Sequence, residues 1–142
     1  MNLYAESSAV LGWLLGEPSA PDVRAALDAA DRIVASDVTL VECDRVLIRA
    51  VTLRDLREAA AAERRSMLNR AAAQWDLFHV SDEIVERARR PFPGEPIRTL
   101  DAIHLATALS ARAALADLGV LSLDDRVRGA ASALGFDVLP QR

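Results

Sequence analysis

The chain has 142 residues, of which 51% are hydrophobic, and this is enough for one domain with a hydrophobic core. It is mildly acidic and contains no lysine, so all 17 basic residues are arginines. The net charge of -4 excludes the large positive potential that is typical of nucleic-acid-binding proteins. Any nucleic-acid partner would have to be bound by a local group of basic residues. The single cysteine, Cys43, excludes an internal disulfide and fits a reducing compartment.

The sequence shows neither the pattern of a membrane-spanning helix nor that of a secretory signal. The longest uncharged apolar stretch, residues 9–16, is far shorter than the roughly 18 residues that a membrane-spanning helix needs. Residues 1–6 lack the basic start and the apolar run of a secretory signal. We therefore expect a cytoplasmic protein without a membrane segment.

The first half of the chain alternates short apolar strands with helices. Residues 3–5 are typical of a buried strand, and Ser7 or Ser8 is placed to cap a helix that ends at the Gly-Glu-Pro stop, residues 16–18. Strands are predicted over 32–37 and 77–80, and helices over 21–30, 39–50 and 53–73. The last of these helices carries Arg54 and Glu58 at the i,i+4 spacing of a helical ion pair.

The second half continues the alternation after a break. Ser81 is placed to cap a helix that runs to about residue 90, and "PFPGEP" at 91–96 interrupts the chain. Helices are then predicted over 99–116 and 125–134, and strands over 119–123 and 136–140. Strands spaced by helices imply right-handed crossovers. We expect a single α/β domain over residues 1–142, with three layers: a mainly parallel sheet of four to five strands and helices on both faces.

Acidic residues fall where the ligand site of such a sheet lies, outside the carboxyl ends of the strands. Glu6 ends the first strand, Asp124 follows the fourth, and Asp101 and Glu42 sit near the starts of helices. Two carboxylates about 4 Å apart repel by about 4 kcal/mol at an effective dielectric constant near 20. A cation would make such a cluster tolerable, and ligands that are all oxygens suit Mg²⁺ or Mn²⁺ better than zinc.

These acids stand in a recurring order of motifs. The chain reads "LYAESSAV", "TLVECDRVL", "RTLDAIHLATAL" and "VLSLDDRVRGAASALGFDVL" from start to end. This order resembles the PIN-domain ribonucleases, in particular the VapC-type toxins of toxin-antitoxin pairs, over nearly the whole chain. The most specific pieces are the late ones, the D-A-x-H-L-A helix start and the [TS]-x-D strand end.

The resemblance implies a PIN-like fold and a metal-dependent endoribonuclease that hydrolyses RNA phosphodiester bonds. The matching catalytic positions are Glu6, Glu42, Asp101 and Asp124. Of these, Glu6, Asp101 and Asp124 would hold Mg²⁺ or Mn²⁺, with Ser8 and Asp125 in support, and Arg98 and Arg126 are the candidates to bind the RNA backbone. The implied partners are the RNA substrate, a cognate antitoxin protein that covers the metal edge, and a second copy of the chain in a homodimer.

One position departs from the family pattern, because the family has aspartate where this chain has Glu6. The extra methylene moves the carboxylate by roughly one bond length, whereas Mg²⁺ demands near-ideal geometry at about 2.0 to 2.1 Å. An alternative reading is therefore a catalytically weakened PIN module that binds RNA or an antitoxin without efficient cleavage.

Simpler roles exist for most of these side chains. Ser7, Ser8 and Asp124 stand where helix caps are wanted, and Asp101 suits the positive end of a helix. On a helical wheel Glu42 shares the polar face with two arginines, residues 45 and 49, which favours a solvated ion pair; the family match, not periodicity, selects it.

Other reactive residue types are read as structural. His104, His79, Cys43, Trp13 and Trp75 are each more typical of packing or hydrogen bonding within the domain than of catalysis or base stacking. Receiver domains and haloacid-dehalogenase-type phosphatases also gather acids at strand ends. Both use a lysine, and this chain has none.

Overall fold

A five-stranded parallel sheet forms the centre of the molecule in the computed structural model, which describes residues 1–142. The strands are β1 (Asn2–Ala5), β2 (Ile33–Ser36), β3 (Asp76–Phe78), β4 (Leu118–Leu121) and β5 (Val138–Leu139). Their order in the sheet is β3-β2-β1-β4-β5, and every neighbouring pair is parallel. The predicted α/β class and the sheet of four to five strands are confirmed.

Seven helices connect and cover the strands. They are α1 (Ser7–Leu14), α2 (Ala20–Ala29), α3 (Asp37–Thr52), α4 (Glu58–Ala72), α5 (Asp82–Ala88), α6 (Thr99–Ala114) and α7 (Asp125–Ala133). None of them is both long enough and apolar enough to cross a membrane.

The two faces of the sheet bury different side chains, as the two-residue period of a strand requires. Tyr4, Val34 and Val120 point into a core that is shared with α5, α6 and α7. Ala5 and Leu121 point to the opposite face, where they pack with residues of α1 to α4. Both faces are therefore covered, and the predicted three-layer arrangement is confirmed.

The order of the strands reverses between β1 and β4. The chain leaves β1 for β2 and β3 on one side, then returns to place β4 on the other side of β1. Ala5 and Leu121 are partners at the ends of these two strands, and the Glu6 N–H donates to the Leu121 carbonyl oxygen at 2.9 Å. Such a switch point opens a crevice beyond the strand ends, and the segments after β1 and β4 line it.

One predicted helix boundary is wrong. The helix expected over 53–73 begins only at Glu58, because α3 ends at Thr52 and Arg54 adopts a left-handed backbone conformation with φ 60°. Arg54 and Glu58 are therefore not a helical pair. No glycine or proline marks this turn, and the polar pattern continues across it. The periodicity therefore predicted a helix that continues through the turn.

Candidate active site

Glu6 follows β1 directly and caps α1. Its backbone is extended, with φ −82° and ψ 150°, and its carboxylate accepts a hydrogen bond from the Ser8 N–H at 3.2 Å. The other carboxylate oxygen accepts from the hydroxyl groups of Ser8 and Ser122, the latter at 2.8 Å. The prediction that Ser7 or Ser8 caps this helix is wrong, because the longer Glu6 side chain reaches back to the exposed N–H groups itself.

The Ser8 hydroxyl joins the ends of the two central strands. It donates to Glu6 and accepts from the backbone N–H groups of Leu123 at 2.9 Å and Asp124 at 3.2 Å. One hydroxyl can make one donation and two acceptances, so its capacity is used in full. Ser8 therefore places Glu6 beside the segment that carries Asp124.

Asp101 and Asp124 meet through one arginine. Arg98 donates from Nε to Asp101 at 2.9 Å and from Nη2 to Asp124 at 3.1 Å. The second oxygen of Asp124 caps α7 by accepting from the N–H groups of Arg126 and Val127, both at 3.0 Å. The chain thus brings these two acids within reach of a single cation, although they are 23 positions apart in sequence.

Glu42 lies on the inner side of α3 and is held by two donors. Its Oε1 lies 2.5 Å from His104 Nε2 and 2.8 Å from the Ser7 hydroxyl. Burial by itself would raise the pKa of Glu42, but the hydrogen bonds and charges around it, led by the bond from His104, bring that pKa below its ordinary value. The solvated ion pair that the helical wheel favoured for Glu42 is wrong.

His104 is the functional candidate that the sequence reading missed. It is buried and hydrogen-bonded, as predicted, but its partner is a site acid and not merely a packing neighbour. Its other ring nitrogen, Nδ1, lies 2.7 Å from the Tyr4 hydroxyl. Its place one turn after Asp101 on α6 was the available signal, since that spacing puts both side chains toward the same end of the sheet.

Two further predicted residues, the supporting Asp125 and the RNA-binding Arg126, lie outside this network. Asp125 is 88% exposed and pairs with Arg142 at 2.6 Å. The Arg126 side chain is exposed and makes no ion pair. Asp125 is therefore not brought to the other acids, and Arg126 is free to meet a ligand.

The remaining residue types behave as structural groups. Burial, its main cause, raises the pKa of Cys43 to about 12, so its thiol is no nucleophile at neutral pH. Trp13 and Trp75 pack against the core beneath α1 to α4. His79 is 91% exposed and lies 3.2 Å from Asp37.

The acids form a chain of contacts rather than a ready-made cage. No group of three or more His, Cys, Asp or Glu side chains is assembled in a metal-binding arrangement. Serine hydroxyls hold Glu6, Arg98 joins Asp101 to Asp124, and His104 holds Glu42. A divalent ion at this edge would have to exchange places with the guanidinium of Arg98.

Comparison with known proteins agrees with the motif order and the fold. Residues 3–132 match the family model for the PIN domain. The chain belongs to the PIN-domain family. The resemblance stated from the sequence is thereby confirmed.

The curated relatives of this PIN domain are ribonucleases. Ribonuclease VapC46 of Mycobacterium tuberculosis is 36% identical over 138 residues, which cover 96% of this chain and 95% of the relative. Ribonuclease VapC35 of the same organism is 30% identical over 139 residues, which cover 98% of this chain and 87% of the relative. The match spans essentially the full length of both proteins.

Solved structures with the same fold include toxins and toxin-antitoxin complexes. VapC20 of Mycobacterium tuberculosis, a sarcin-ricin loop cleaving toxin, superposes with a TM-score of 0.64 at 15% identity, covering 94% of this chain and 95% of that chain. VapBC2 of Rickettsia felis, bound to a promoter DNA fragment, has a TM-score of 0.64 at 9% identity and covers 97% of both chains. A toxin-antitoxin complex of Klebsiella pneumoniae has a TM-score of 0.61 at 19% identity and covers 87% of both. At these identities the likeness establishes the fold.

Proposed function

We propose that this PIN domain is a VapC-type toxin, a divalent-metal-dependent endoribonuclease that hydrolyses RNA phosphodiester bonds. The observation that carries the proposal is the meeting of Asp101 and Asp124 around one cationic group at the β1–β4 crevice, with Glu6 tied to the same segment through Ser8. The ribonuclease names of two relatives at 36% and 30% identity support the reaction class.

The donor set fits Mg²⁺ or Mn²⁺. Asp101, Asp124 and Glu6 would hold the ion, and all three offer carboxylate oxygens, the ligands that hard divalent cations prefer. When bound, such an ion lowers the pKa of a coordinated water and stabilises negative charge on the scissile phosphate. That two of these acids already share one positive charge, that of Arg98, supports the placement of a cation here.

The protein's own side chains supply the remaining functions. The Arg98 side chain is 65% exposed, so once released from the carboxylates it can turn to a phosphate oxygen of the RNA. Glu42 is only 23% exposed, and its lowered pKa keeps it ionised at neutral pH, so its carboxylate is suited to orient the attacking water as a hydrogen-bond acceptor. Arg126 at the start of α7 offers a second contact for the RNA backbone.

The test is cleavage of a structured RNA pool by partner-free protein in Mg²⁺, in Mn²⁺ and in EDTA. Asp101→Asn is purified in parallel, because it keeps the size of the side chain and exposes any contaminating nuclease. We expect cutting that needs the metal and is lost in Asp101→Asn. Folded wild-type protein that cuts in neither metal would contradict the nuclease proposal.

The alternative, a module that binds without efficient cleavage, is motivated by Glu6. The structure uses both Glu6 oxygens for hydrogen bonds to Ser8 and Ser122, which leaves this carboxylate less free than Asp101 to meet a metal. Glu6→Asp separates the two readings. A rise in cleavage by orders of magnitude would favour the weakened module, whereas equal activity would remove its basis.

We also propose that an antitoxin protein binds this PIN domain. The solved complexes from Klebsiella pneumoniae and Rickettsia felis pair a related fold with an antitoxin. On α3, Val41 and Ile48 are 61% and 41% exposed and lie seven positions apart, so they share one outer face that a partner can cover.

The predicted homodimer is checked by light scattering of the purified chain over a range of concentrations.

A further inference from the structure

A buried hydrogen-bonded chain runs from β1 through α6 to α3. The Tyr4 hydroxyl lies 2.7 Å from Nδ1 of His104, and Nε2 of the same ring lies 2.5 Å from Oε1 of Glu42. His104 is 1% exposed, so its ring is shielded from bulk water. Side chains from two other elements, β1 and α3, thus meet the imidazole that α6 carries.

The partners of the ring decide where its hydrogen lies. The ionised carboxylate of Glu42 has no hydrogen to donate, so Nε2 must carry the one that joins His104 to Glu42. Nδ1 then accepts from the Tyr4 O–H in the neutral ring, or donates to the Tyr4 oxygen in the charged ring. In both states Nε2 donates to Glu42, so the contact does not depend on the charge of His104.

The contact leaves one oxygen of Glu42 uncommitted. Both donors, His104 Nε2 and the Ser7 hydroxyl, meet Oε1, and Oε2 has no hydrogen-bond partner. Oε2 is not among the buried unsatisfied atoms, so it remains open to solvent. One carboxylate oxygen is therefore anchored on the protein while the other is left accessible to solvent.

We infer that His104 is a positioning residue for Glu42: Tyr4 orients the imidazole, and its Nε2–H fixes the carboxylate so that Oε2 faces the RNA and the attacking water. The catalytic consequence rests on the proposed nuclease function. Outer partners of this kind typically change activity by about 10- to 100-fold when removed. Because His104 and Asp101 both sit on α6, one helix sets the positions of two of the site acids.

Kinetics of RNA cleavage by two His104 variants test the role. His104→Leu keeps the bulk and removes the donor, and we expect kcat to fall by about 10- to 100-fold with KM for RNA unchanged. His104→Gln retains an N–H near the place of Nε2 and is expected to restore most of the lost kcat. His79→Gln serves as the matched control, since His79 is exposed and its hydrogen-bond partner is Asp37, not one of the site acids.

A double-mutant cycle distinguishes positioning from general loss of structure. If His104 acts through Glu42, His104→Leu has no further effect on kcat in the Glu42→Gln background. Multiplicative losses in the double variant would overturn the inference. Equal KM and kcat changes in His104→Leu and His104→Gln would overturn it as well.

Nitrogen-15 NMR of the histidine rings gives a readout that needs no cleavage. The chain has two histidines, so His79→Gln assigns the His104 signals by elimination. We expect a protonated Nε2 whose resonance shifts in Glu42→Gln and not in Glu86→Gln on the exposed side of α5. An unprotonated Nε2, or one indifferent to Glu42, overturns the contact. Wild-type protein that shows this contact but cuts no RNA would contradict the nuclease proposal and the catalytic role of His104 together.

Discussion

Two of the acidic residues at the crevice each cap a helix and also contact a second side chain. Asp124 caps α7 with one oxygen and pairs with Arg98 through the other, and Glu6 caps α1 while it accepts two serine hydroxyls. The capping role predicted from the sequence is therefore confirmed for Asp124, whereas Glu6 takes the cap that was expected of Ser7 or Ser8. Neither cap competes with a ligand role. A cap fixes the carboxylate where a parallel sheet presents its ligands.

In the proposed metal site, Arg98 occupies the place that the divalent ion would take. Its guanidinium and the ion would compete for the same oxygens of Asp101 and Asp124, so Arg98→Ala is expected to tighten Mn²⁺ binding by about two- to fivefold, the range of an exposed ion pair. Isothermal titration calorimetry without RNA measures this. Arg24→Ala on α2, which removes an exposed pair with Asp28, is the control. Weaker Mn²⁺ binding in Arg98→Ala would contradict the competition.

Glu42 makes the stability of the fold depend on acidity. Its folded-state pKa lies below the ordinary value of 4.5, so the unfolded chain binds its proton first as the pH falls. The stabilisation is thus present above about pH 4.5 and is lost as the pH falls through the folded-state pKa. We expect urea unfolding to show the stability difference between wild type and Glu42→Gln shrinking from pH 5 to pH 3. Glu86→Gln, at an exposed position, should show no such change, and a difference that grows in acid would refute this account.

At the scale of whole elements, the carboxyl ends of β4 and β5 are tied together by Arg128. Its guanidinium donates to the carbonyl oxygens of Ser122 at 2.7 Å, Leu139 at 3.1 Å and Pro140 at 2.8 Å. Burial is the main reason that the pKa of this arginine is lowered. The same contacts steady the loop that carries Asp124.

Replacing Arg128 with methionine tests this tie. Three carbonyl groups lose a charged donor, and hydrogen bonds to charged groups are worth about 1.5–3 kcal/mol, so we expect a loss of that order in the free energy of unfolding. Denaturant titration provides the measurement. Arg126→Met on the same helix is the control, because its side chain is exposed and unpaired. Equal stability of Arg128→Met and wild type would contradict the role.

Elements were predictable from sequence where local pattern decides them. The alternation of Tyr4 and Ala5 across the sheet and the Ser81 cap of α5 follow from short-range spacing. The start of α4 was missed because the turn at Arg54 carries no glycine or proline. The pairing of His104 with Glu42 spans 62 positions, and it forms only because the fold brings these side chains of α6 and α3 to the same end of the sheet. Periodicity assigned Glu42 to a solvated face, and this is wrong because His104 holds its carboxylate. The family motif selected Glu42 as a site acid without giving its partner.

For the whole molecule, the negative net charge restricts how RNA is held. A chain with a net charge of -4 gains little from a general field, so affinity should depend on a few arginines near the crevice. Each phosphate contact with single-stranded nucleic acid contributes about 0.7 to the slope of log affinity against log salt.

Arg126→Ala is expected to reduce this slope by about 0.7, measured by fluorescence anisotropy with a single-stranded RNA in the non-cutting Asp101→Asn background. Arg24→Ala, which removes an exposed arginine paired with Asp28 on α2, should leave the slope unchanged. If both substitutions lowered it equally, diffuse attraction rather than a local contact would hold the RNA.

The most direct test of a divalent-cation site at these carboxylates is a calorimetric titration of the RNA-free protein with Mn²⁺. We predict saturable binding by the wild type that is lost in Asp101→Asn and in Asp124→Asn, while Asp125→Asn, whose side chain faces solvent, binds as the wild type does. Binding of Mn²⁺ that is unchanged in both Asp101→Asn and Asp124→Asn, or no binding by the folded wild type, would contradict the metal-dependent reading of this PIN domain.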